Sequence, residues 1–144
     1  MAMRGERWKL VLGCDDSERA RRALAWAGRF VQENGATLHV VHAVSSVGEW
    51  ELAAAQIDPD PLRHEQERLL REEWTASLRD AGVPYRADTA VGDPADVIIE
   101  AAKRDAADLI VVGASHRGTF GEILHGSVAH KLVHESPIPV AVVP

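Results

Sequence analysis

Residues 111–127, V-V-G-A-S-H-R-G-T-F-G-E-I-L-H-G-S, contain the residue types best suited to bind an anion. An apolar run ends at Gly113, a loop with two further glycines follows, and Gly126 and Ser127 precede a segment with helical spacing. Glycines let backbone N–H groups approach an anion, and the first turn of a helix adds unpaired donors and partial positive charge. The order strand, glycine loop, helix therefore indicates a phosphate-binding loop, although a plain surface loop has a similar composition.

This loop differs from two common phosphate-binding motifs. The pattern G-x-x-x-x-G-K-[ST] is absent, so the chain has no P-loop lysine, and G-x-G-x-x-G is absent as well. Spacing alone leaves phosphate binding and an ordinary surface loop as open alternatives.

A second polar group, Cys14 to Ser17, follows the first apolar run. Asp15 and Asp16 have the chemistry for a metal site or a general base, but Ser17 is also a good helix cap and acids suit a helix start. Neighbouring carboxylates oppose thiolate formation at Cys14, so we expect a small buried residue there rather than a nucleophile.

His130 and His134 are four residues apart on a predicted helix and can share one face. A zinc site of the H-E-x-x-H type would need a glutamate after the first histidine and a third ligand, and the spacing supplies neither. We therefore predict an exposed polar face and no resident metal. Mg²⁺ would still accompany a bound nucleotide, because this ion needs few protein ligands.

The composition excludes several classes of protein. The chain has 144 residues, 46% hydrophobic and 26% charged, which is typical of one globular domain. A formal net charge of −6 disfavours binding to nucleic acid or anionic membranes. One cysteine, no signal-like apolar segment and no long apolar run together favour a cytoplasmic protein.

Apolar periodicity predicts five strands alternating with four helices. The predicted strands are residues 8–14, 36–44, 83–91, 107–112 and 140–143, and the helix starts are Ser17, Asp60, Asp93 and Ser127. Residues 45–60 look irregular. A long second helix is expected to bury a stripe made of Leu62, Leu69, Leu70, Trp74 and Leu78.

Strands that alternate with helices predict a parallel sheet with helices on both faces. Ligands bind such sheets beyond the carboxyl ends of the strands, where the strand order reverses. If the first and fourth strands are neighbours, the Asp15 and Gly113 loops face one crevice and form one site.

These motifs resemble those of the universal stress protein family over nearly the whole chain, so we expect residues 1–144 to form one domain of that family. The matching blocks are C-D-D-S (14–17), H-V-V-H-A-V (39–44), G-D-P-A-D-V-I-I-E-A-A (92–102), A-D-L-I-V-V-G (107–113), H-G-S-V-A-H-K-L-V (125–133) and P-I-P-V-A-V-V (137–143). The resemblance implies an open five-stranded parallel sheet, Rossmann-like and similar to adenine nucleotide alpha hydrolases.

The resemblance also implies a nucleotide site. The ATP-binding branch has Gly, two residues, Gly, nine residues, then Gly-Ser or Gly-Thr, and the ends of that motif fall on Gly113 and Gly126-Ser127. The second glycine falls on His116, which restricts the backbone. Three interpretations stay open: a lost site, a tolerated imidazole with Gly118 supplying flexibility, or a cation from His116 and Arg117 at low pH. We favour the tolerated imidazole.

The family roles transfer to individual positions of this sequence. By resemblance, Asp15 lies beside the adenine or ribose, and the backbone of Ala43 meets the adenine edge. Gly113 and His116 line the ribose and phosphate turn. Gly126, Ser127 and Val128 contact phosphate at the helix start.

The resemblance implies an ATP-binding stress-response or signalling module, paired as a homodimer through Val140–Val143. Without a Walker lysine, an arginine finger or an evident base, at most slow hydrolysis is expected. One alternative is a nucleotide-free dimeric interaction protein, favoured by His116. Another is an alpha hydrolase, whose S-G-G-x-D-S-like loop is replaced here by C-D-D-S.

Overall fold

The computed structural model describes residues 7–45, 47–58, 60–116, 123–124 and 126–144. For residues 47–49, 115–116 and 123–124 it describes the backbone only.

Seven strands form in this part of the chain. They are β1 (Lys9–Gly13), β2 (Thr37–Val44), β3 (Arg86–Val91), β4 (Leu109–Gly113), β5 (Ser115–His116), β6 (Ile123–Leu124) and β7 (Val140–Val143). Five of them make one sheet in the order β3-β2-β1-β4-β7, and all neighbours in it are parallel. The predicted α/β fold with a five-stranded parallel sheet is confirmed.

Strand β1 lies at the centre of the sheet. Leu12 of β1 is opposite Val40 of β2 on one side and Val111 of β4 on the other. The strand order therefore reverses next to β1, between β2 and β4. The first and fourth strands are neighbours, which is the condition under which the Asp15 and Gly113 loops were expected to face one crevice.

Six α-helices are described. They are α1 (Glu18–Asn34), α2 (Val47–Ala54), α3 (Asp60–Leu69), α4 (Ala76–Asp80), α5 (Pro94–Asp105) and α6 (Ser127–Glu135), with a π-helical turn at Leu70–Trp74.

The predicted helix boundaries at α1 and α5 are confirmed. The Ser17 side chain accepts a hydrogen bond from the Ala20 N–H, and Gly35 ends α1 at φ 65°. The Asp93 side chain accepts from the Asp96 N–H, and Pro94 occupies the first helical position.

The core forms two layers, one on each face of the sheet, because side chains alternate along a strand. Leu10 and Leu12 of β1 pack with the alanine-rich face of α1, while Val11 packs with α5 and α6. Small alanines on these helices allow close packing, and the carboxyl ends of the strands are left at one edge of the sheet.

The prediction of one long second helix is wrong in its continuity and in part of its buried stripe. The helix is interrupted by the turn Leu70–Trp74, because the buried Thr75 hydroxyl donates to the Leu70 carbonyl at 2.8 Å and lies 2.8 Å from the Tyr85 hydroxyl. Leu62 is 52% exposed instead of buried, and no residue of α3 is buried. Residues 45–60, expected to be irregular, contain α2.

Two further differences concern strands. The third strand begins at Arg86 instead of residue 83, because Pro84 cannot donate to a ladder. The sequence also gave no indication of the antiparallel pair β5 and β6, which join Ser115 to Leu124 and His116 to Ile123.

Candidate functional site

A cleft of about 570 Å³ lies at the carboxyl edge of the sheet. It is bordered by the ends of β1, β2 and β4 and by the amino-terminal turns of α1, α5 and α6. Of the residues predicted for the site, six line this cleft: Asp15, Ala43, Gly113, Gly126, Ser127 and Val128. The predicted convergence of the Asp15 and Gly113 loops is therefore present.

The remaining three predicted residues are described only in part or not at all. The backbone of His116 is the second residue of β5, in the pair with Ile123. Arg117 and Gly118 lie outside the described residues. The prediction for these three side chains stays a prediction.

Asp15 shapes the turn between β1 and α1. Its Oδ1 accepts a hydrogen bond from the Ser17 N–H at 2.9 Å, and Ser17 then caps α1. One carboxylate oxygen is therefore used for folding. The helix-entry interpretation of this acid is confirmed, and a ligand contact through the other oxygen remains compatible with it.

Helix α6 enters the cleft differently from α1 and α5. Its N-cap residue is Gly126, which makes no side-chain capping bond, whereas Ser17 and Asp93 cap the other two helices. The first intrahelical bond runs from the His130 N–H to the Gly126 carbonyl. The N–H groups of the first turn, which begins at Ser127, thus lack an intrahelical acceptor and are suited to an anion.

Gly113 is placed by close packing between β4 and α1. A Cβ added to Gly113 would lie 2.5 Å from the Arg19 carbonyl oxygen and 2.8 Å from the Arg19 Cβ. No side chain fits at that distance, because the neighbour is backbone. The glycine at this position therefore has a structural reason of its own, besides the anion-binding one that the sequence indicated.

Ala43 lies where β2 has lost one neighbour. Strand β1 ends opposite Val41, whereas β2 continues to Val44 with β3 still paired beside it. The backbone near Ala43 therefore borders the cleft on the side that β1 has vacated. This explains how a main-chain group at the end of β2 could contact a flat ligand.

His42 and Arg19 also line the cleft, and the sequence analysis did not select either for the site. His42 Nδ1 lies 2.8 Å from the Cys14 carbonyl and Nε2 lies 2.8 Å from Gln66 Oε1. The ring also meets Trp74 edge-on, at 4.9 Å between centroids. His42 thereby joins the cleft to α3 and the π-helical turn, contacts that connect distant parts of the sequence.

Cys14 is buried at the cleft wall. Burial raises the pKa of its thiol to about 12, and the charges of Asp15 and Asp16 act in the same direction. The thiol is therefore protonated at neutral pH. The prediction of a small buried residue is confirmed.

Candidate metal ligands are sparse in the described part of the chain. No group of three or more His, Cys, Asp or Glu side chains there is arranged to hold an ion. The rings of His130 and His134 lie 4.4 Å apart on α6, and both residues are exposed, as predicted. Within the same residues, the structure has no helix with both the length and the apolarity to cross a membrane.

Comparison with protein families identifies the fold. The model of the universal stress protein family matches residues 7–144. The chain belongs to the universal stress protein family. The predicted resemblance is confirmed.

Individual members of the universal stress protein family show the same relationship. The chain is 37% identical over 136 residues to the Thermus aquaticus universal stress protein in the QAH/OAS sulfhydrylase 3′ region, covering 93% of this chain and 96% of the relative.

Solved structures agree. The universal stress protein from Archaeoglobus fulgidus superposes with a TM-score of 0.75 at 26% identity, covering 96% of this chain and 100% of that one. A universal stress protein in complex with cAMP superposes with a TM-score of 0.66 at 25% identity, covering 95% of this chain and 96% of that one.

Proposed function

We propose that the cleft binds an adenine nucleotide, with ATP as the ligand, and that the protein is a stress-response or signalling module. Nucleotide binding is supported by the family and by the cAMP complex of a related protein. The volume of about 570 Å³ is in the range of ordinary small-molecule sites.

The observation that carries the proposal is the uncapped start of α6 within the cleft. Three N–H groups, those of Ser127, Val128 and the next residue, have no intrahelical acceptor there, and the Ser127 hydroxyl adds a further donor. Phosphate oxygens satisfy such donors and are favoured by the helix dipole. We assign the phosphate chain to this end of the cleft.

The other proposed contacts follow the course of the cleft. The backbone near Ala43 would meet the adenine edge, and the free oxygen of Asp15 would accept from a ribose hydroxyl. Gly113 would pass beneath the ribose and first phosphate. His116, Arg117 and Gly118 would complete the phosphate turn. Mg²⁺ would be held mainly by the phosphates.

The same residues favour a binding module over a fast enzyme. Lysine is absent from the described residues that line the cleft, and Asp15 is engaged in the turn before α1. Rapid phosphoryl transfer needs a positioned nucleophile or base as well as cations at the transferred group, and Arg19 of the cleft supplies charge but no base. We therefore propose at most slow hydrolysis, with the nucleotide acting as a conformational ligand.

The proposal is tested by titrating Mg-ATP, ADP, AMP and cAMP into the protein while its melting temperature is recorded. A ligand that binds only the folded state stabilises it by about 2.7 kcal/mol at a hundredfold excess over Kd. We expect a concentration-dependent rise for the wild type, and a nucleotide in the mass spectrum of the purified protein.

The Ser127→Asp variant separates phosphate binding from helix stability. A carboxylate at the first helical position suits the helix dipole, so the unliganded variant should melt at the wild-type temperature or above it. The same charge repels phosphate, so the ATP-dependent rise should disappear. Ser127→Asn is the neutral control and should retain most of it. Undiminished ATP binding by Ser127→Asp would contradict the assignment.

The alternative function, a nucleotide-free interaction protein, is favoured by His116 in place of the motif glycine. It predicts that no adenine nucleotide changes the melting temperature. If ATP does bind, its affinity measured between about pH 5.5 and 8, across the range where an unperturbed histidine titrates, shows whether His116 adds charge to the site.

We further propose a cytoplasmic homodimer. Strand β7 is an edge of the sheet, with β4 on one side, so its outer side can pair with a second copy. A reducing compartment suits the single buried cysteine, Cys14.

A further inference from the structure

Arg19 is an arginine at the wall of the cleft. Among the described residues that line it, Asp15, Arg19 and His42 have side chains that can be charged, and Arg19 alone is a lysine or arginine. The whole chain has a net charge of −6, so a polyphosphate would be attracted only by charge concentrated locally.

The position of Arg19 in α1 is electrostatically unfavourable. Ser17 is the N-cap, so Arg19 occupies the second helical position, beside the positive end of the helix dipole. A cation is disfavoured there and an anion is favoured. A residue that breaks a local rule in this way is expected at a functional site.

The next arginine of α1, Arg21, has different surroundings from Arg19. Arg21 is exposed, does not line the cleft, and its guanidinium lies 3.2 Å from both Asp16 and Glu18. Arg21 thus neutralises the acids of the first turn. Arg19 is half-buried at the cleft wall.

Close packing fixes the base of the Arg19 side chain. A Cβ added to Gly113 would lie 2.5 Å from the Arg19 carbonyl oxygen and 2.8 Å from the Arg19 Cβ. The start of α1 therefore packs directly against the first residue of the glycine loop. The Arg19 side chain is thereby attached next to Gly113, at the wall of the cleft.

We propose that Arg19 binds the phosphate chain and sets the preference of the site for nucleoside triphosphate over monophosphate. The inference rests on the proposed function of the cleft. Arg19 also takes part in an interaction within the protein, which the phosphates must share or displace. A guanidinium can do this, because it has five donors arranged in a fork.

The test compares Arg19→Gln, Arg19→Lys and the wild type by calorimetric titration with ATP, AMP and adenosine. Loss of a charged hydrogen bond should weaken ATP binding by about tenfold. AMP, which carries less charge, should be weakened by about threefold or less, and adenosine should be unaffected. Arg19→Lys keeps the charge and should retain most of the discrimination.

Arg21→Gln is the matched control. It removes the same charge from the same helix, outside the cleft, and should change ATP affinity by less than about twofold. Added salt should reduce the difference between Arg19→Gln and the wild type. The melting temperature of unliganded Arg19→Gln is recorded as well, because the substitution removes an internal interaction together with an unfavourable charge at the start of α1.

Several results overturn the inference. Equal ATP affinities of Arg19→Gln and Arg21→Gln would show that the site does not use Arg19. An equal loss of affinity for ATP and for adenosine would show that Arg19 acts through the shape or stability of the cleft and not through its charge. If the wild type binds no nucleotide, the proposed function fails as well; if it binds ATP and Arg19→Gln binds equally tightly, only the role of Arg19 is excluded.

Discussion

At the scale of single residues, Gly113 illustrates how a binding motif can also be a packing requirement. Read in the sequence, it is the first glycine of a phosphate-binding loop. In the fold, it is also the point where β4 passes the backbone of α1, with Arg19 too close for any side chain. Variation at Gly113 would therefore alter stability and the cleft together.

We expect Gly113→Ala to lower the free energy of unfolding by about 1–3 kcal/mol, because the new methyl group would overlap the Arg19 carbonyl. Gly13→Ala is the matched control. Its Cβ would meet the Ile98 Cδ1 at 2.5 Å, but this is the end of a side chain and can move. Urea denaturation should show a smaller loss in the free energy of unfolding for Gly13→Ala than for Gly113→Ala. Equal losses would show that the Arg19 backbone is no more rigid a neighbour than the Ile98 side chain.

A second group of residues lies at the opposite edge of the sheet. His39 is buried, with Nδ1 2.6 Å from Asp105 and Nε2 2.7 Å from Asp88. Arg86 donates to the other oxygen of Asp105 at 2.8 Å. These contacts join β2, β3 and the end of α5 through charges that hydrophobic patterning does not reveal.

Asp105 makes the stability of the fold pH-dependent. Partial burial would raise the pKa of its carboxyl, but hydrogen bonds from His39 and Arg86 outweigh burial and lower it from 3.8. The ionised carboxylate of Asp105 therefore stabilises the fold fully at pH values above the unfolded-state pKa of 3.8. This stabilisation is lost as the pH falls through the lower pKa of the folded state.

The Asp105→Asn variant should unfold about 1–2 kcal/mol more easily than the wild type at pH 7. The difference should shrink as the pH is lowered from about 5 to about 2, because the wild type then loses its charge as well. Unfolding curves across this range measure it. The control is Asp80→Asn, which changes an exposed acid at the end of α4 and should alter the free energy of unfolding at pH 7 by less than about 0.5 kcal/mol. If the difference in free energy of unfolding between Asp105→Asn and the wild type does not change with pH, the ionised carboxylate of Asp105 is not what stabilises the fold.

At the scale of elements, side-chain hydrogen bonds accompany the π-helical turn at Leu70–Trp74. The Thr75 hydroxyl lies within hydrogen-bond distance of the Leu70 carbonyl and the Tyr85 hydroxyl. Arg79 donates to the Arg71 carbonyl. Carbonyls that an α-helix would have satisfied thus find side-chain donors, and Trp74 is turned toward His42 at the cleft.

Replacing Thr75 with valine keeps the shape and removes the hydroxyl, so we expect a loss of about 2 kcal/mol in the free energy of unfolding. Tyr85→Phe removes the second hydroxyl of the hydrogen bond between Thr75 and Tyr85. Because the two hydroxyls share that bond, the double variant should lose less than the sum of the single losses. Strict additivity in chemical denaturation would show that Thr75 and Tyr85 do not act together.

Element prediction succeeded where the signal is local. Ser17 and Asp93 cap their helices through side chains, and Gly35 ends α1 in the left-handed region, so each signal is visible in a few consecutive residues. The interruption after Leu69 depends on Tyr85, ten residues beyond Thr75, so helical periodicity continued through it. The short pair of β5 and β6 gave no periodic pattern at all.

At the scale of the whole molecule, strand order determines where a site can form. The alternation of strands and helices predicted a crevice between the β1 and β4 loops on the condition that these strands are neighbours. Six of the nine site residues, most of them assigned by the family resemblance, line that crevice. His42 and Arg19 were not predicted, because their roles depend on contacts across the fold. His42 reaches α3, and Arg19 faces β4, both remote in sequence.

The outer edge of β7 offers the last prediction, a homodimer formed by edge pairing. The Pro139 carbonyl accepts a hydrogen bond from Ile110 of β4, and the Val143 carbonyl accepts one from Ala114, the residue that follows β4. Alternate residues of a strand bond to the same neighbour, so the peptide groups of Val140 and Val142 point to the open edge.

Val142→Pro removes one outward N–H while leaving the β4 ladder in place, so it should give a folded monomer where the wild type is a dimer. Val142→Ala keeps that N–H and should remain dimeric. Light scattering after size exclusion measures the mass, and circular dichroism checks the fold. A dimeric, folded Val142→Pro variant would mean that the two copies pair through another surface, and a monomeric wild type would exclude a stable homodimer.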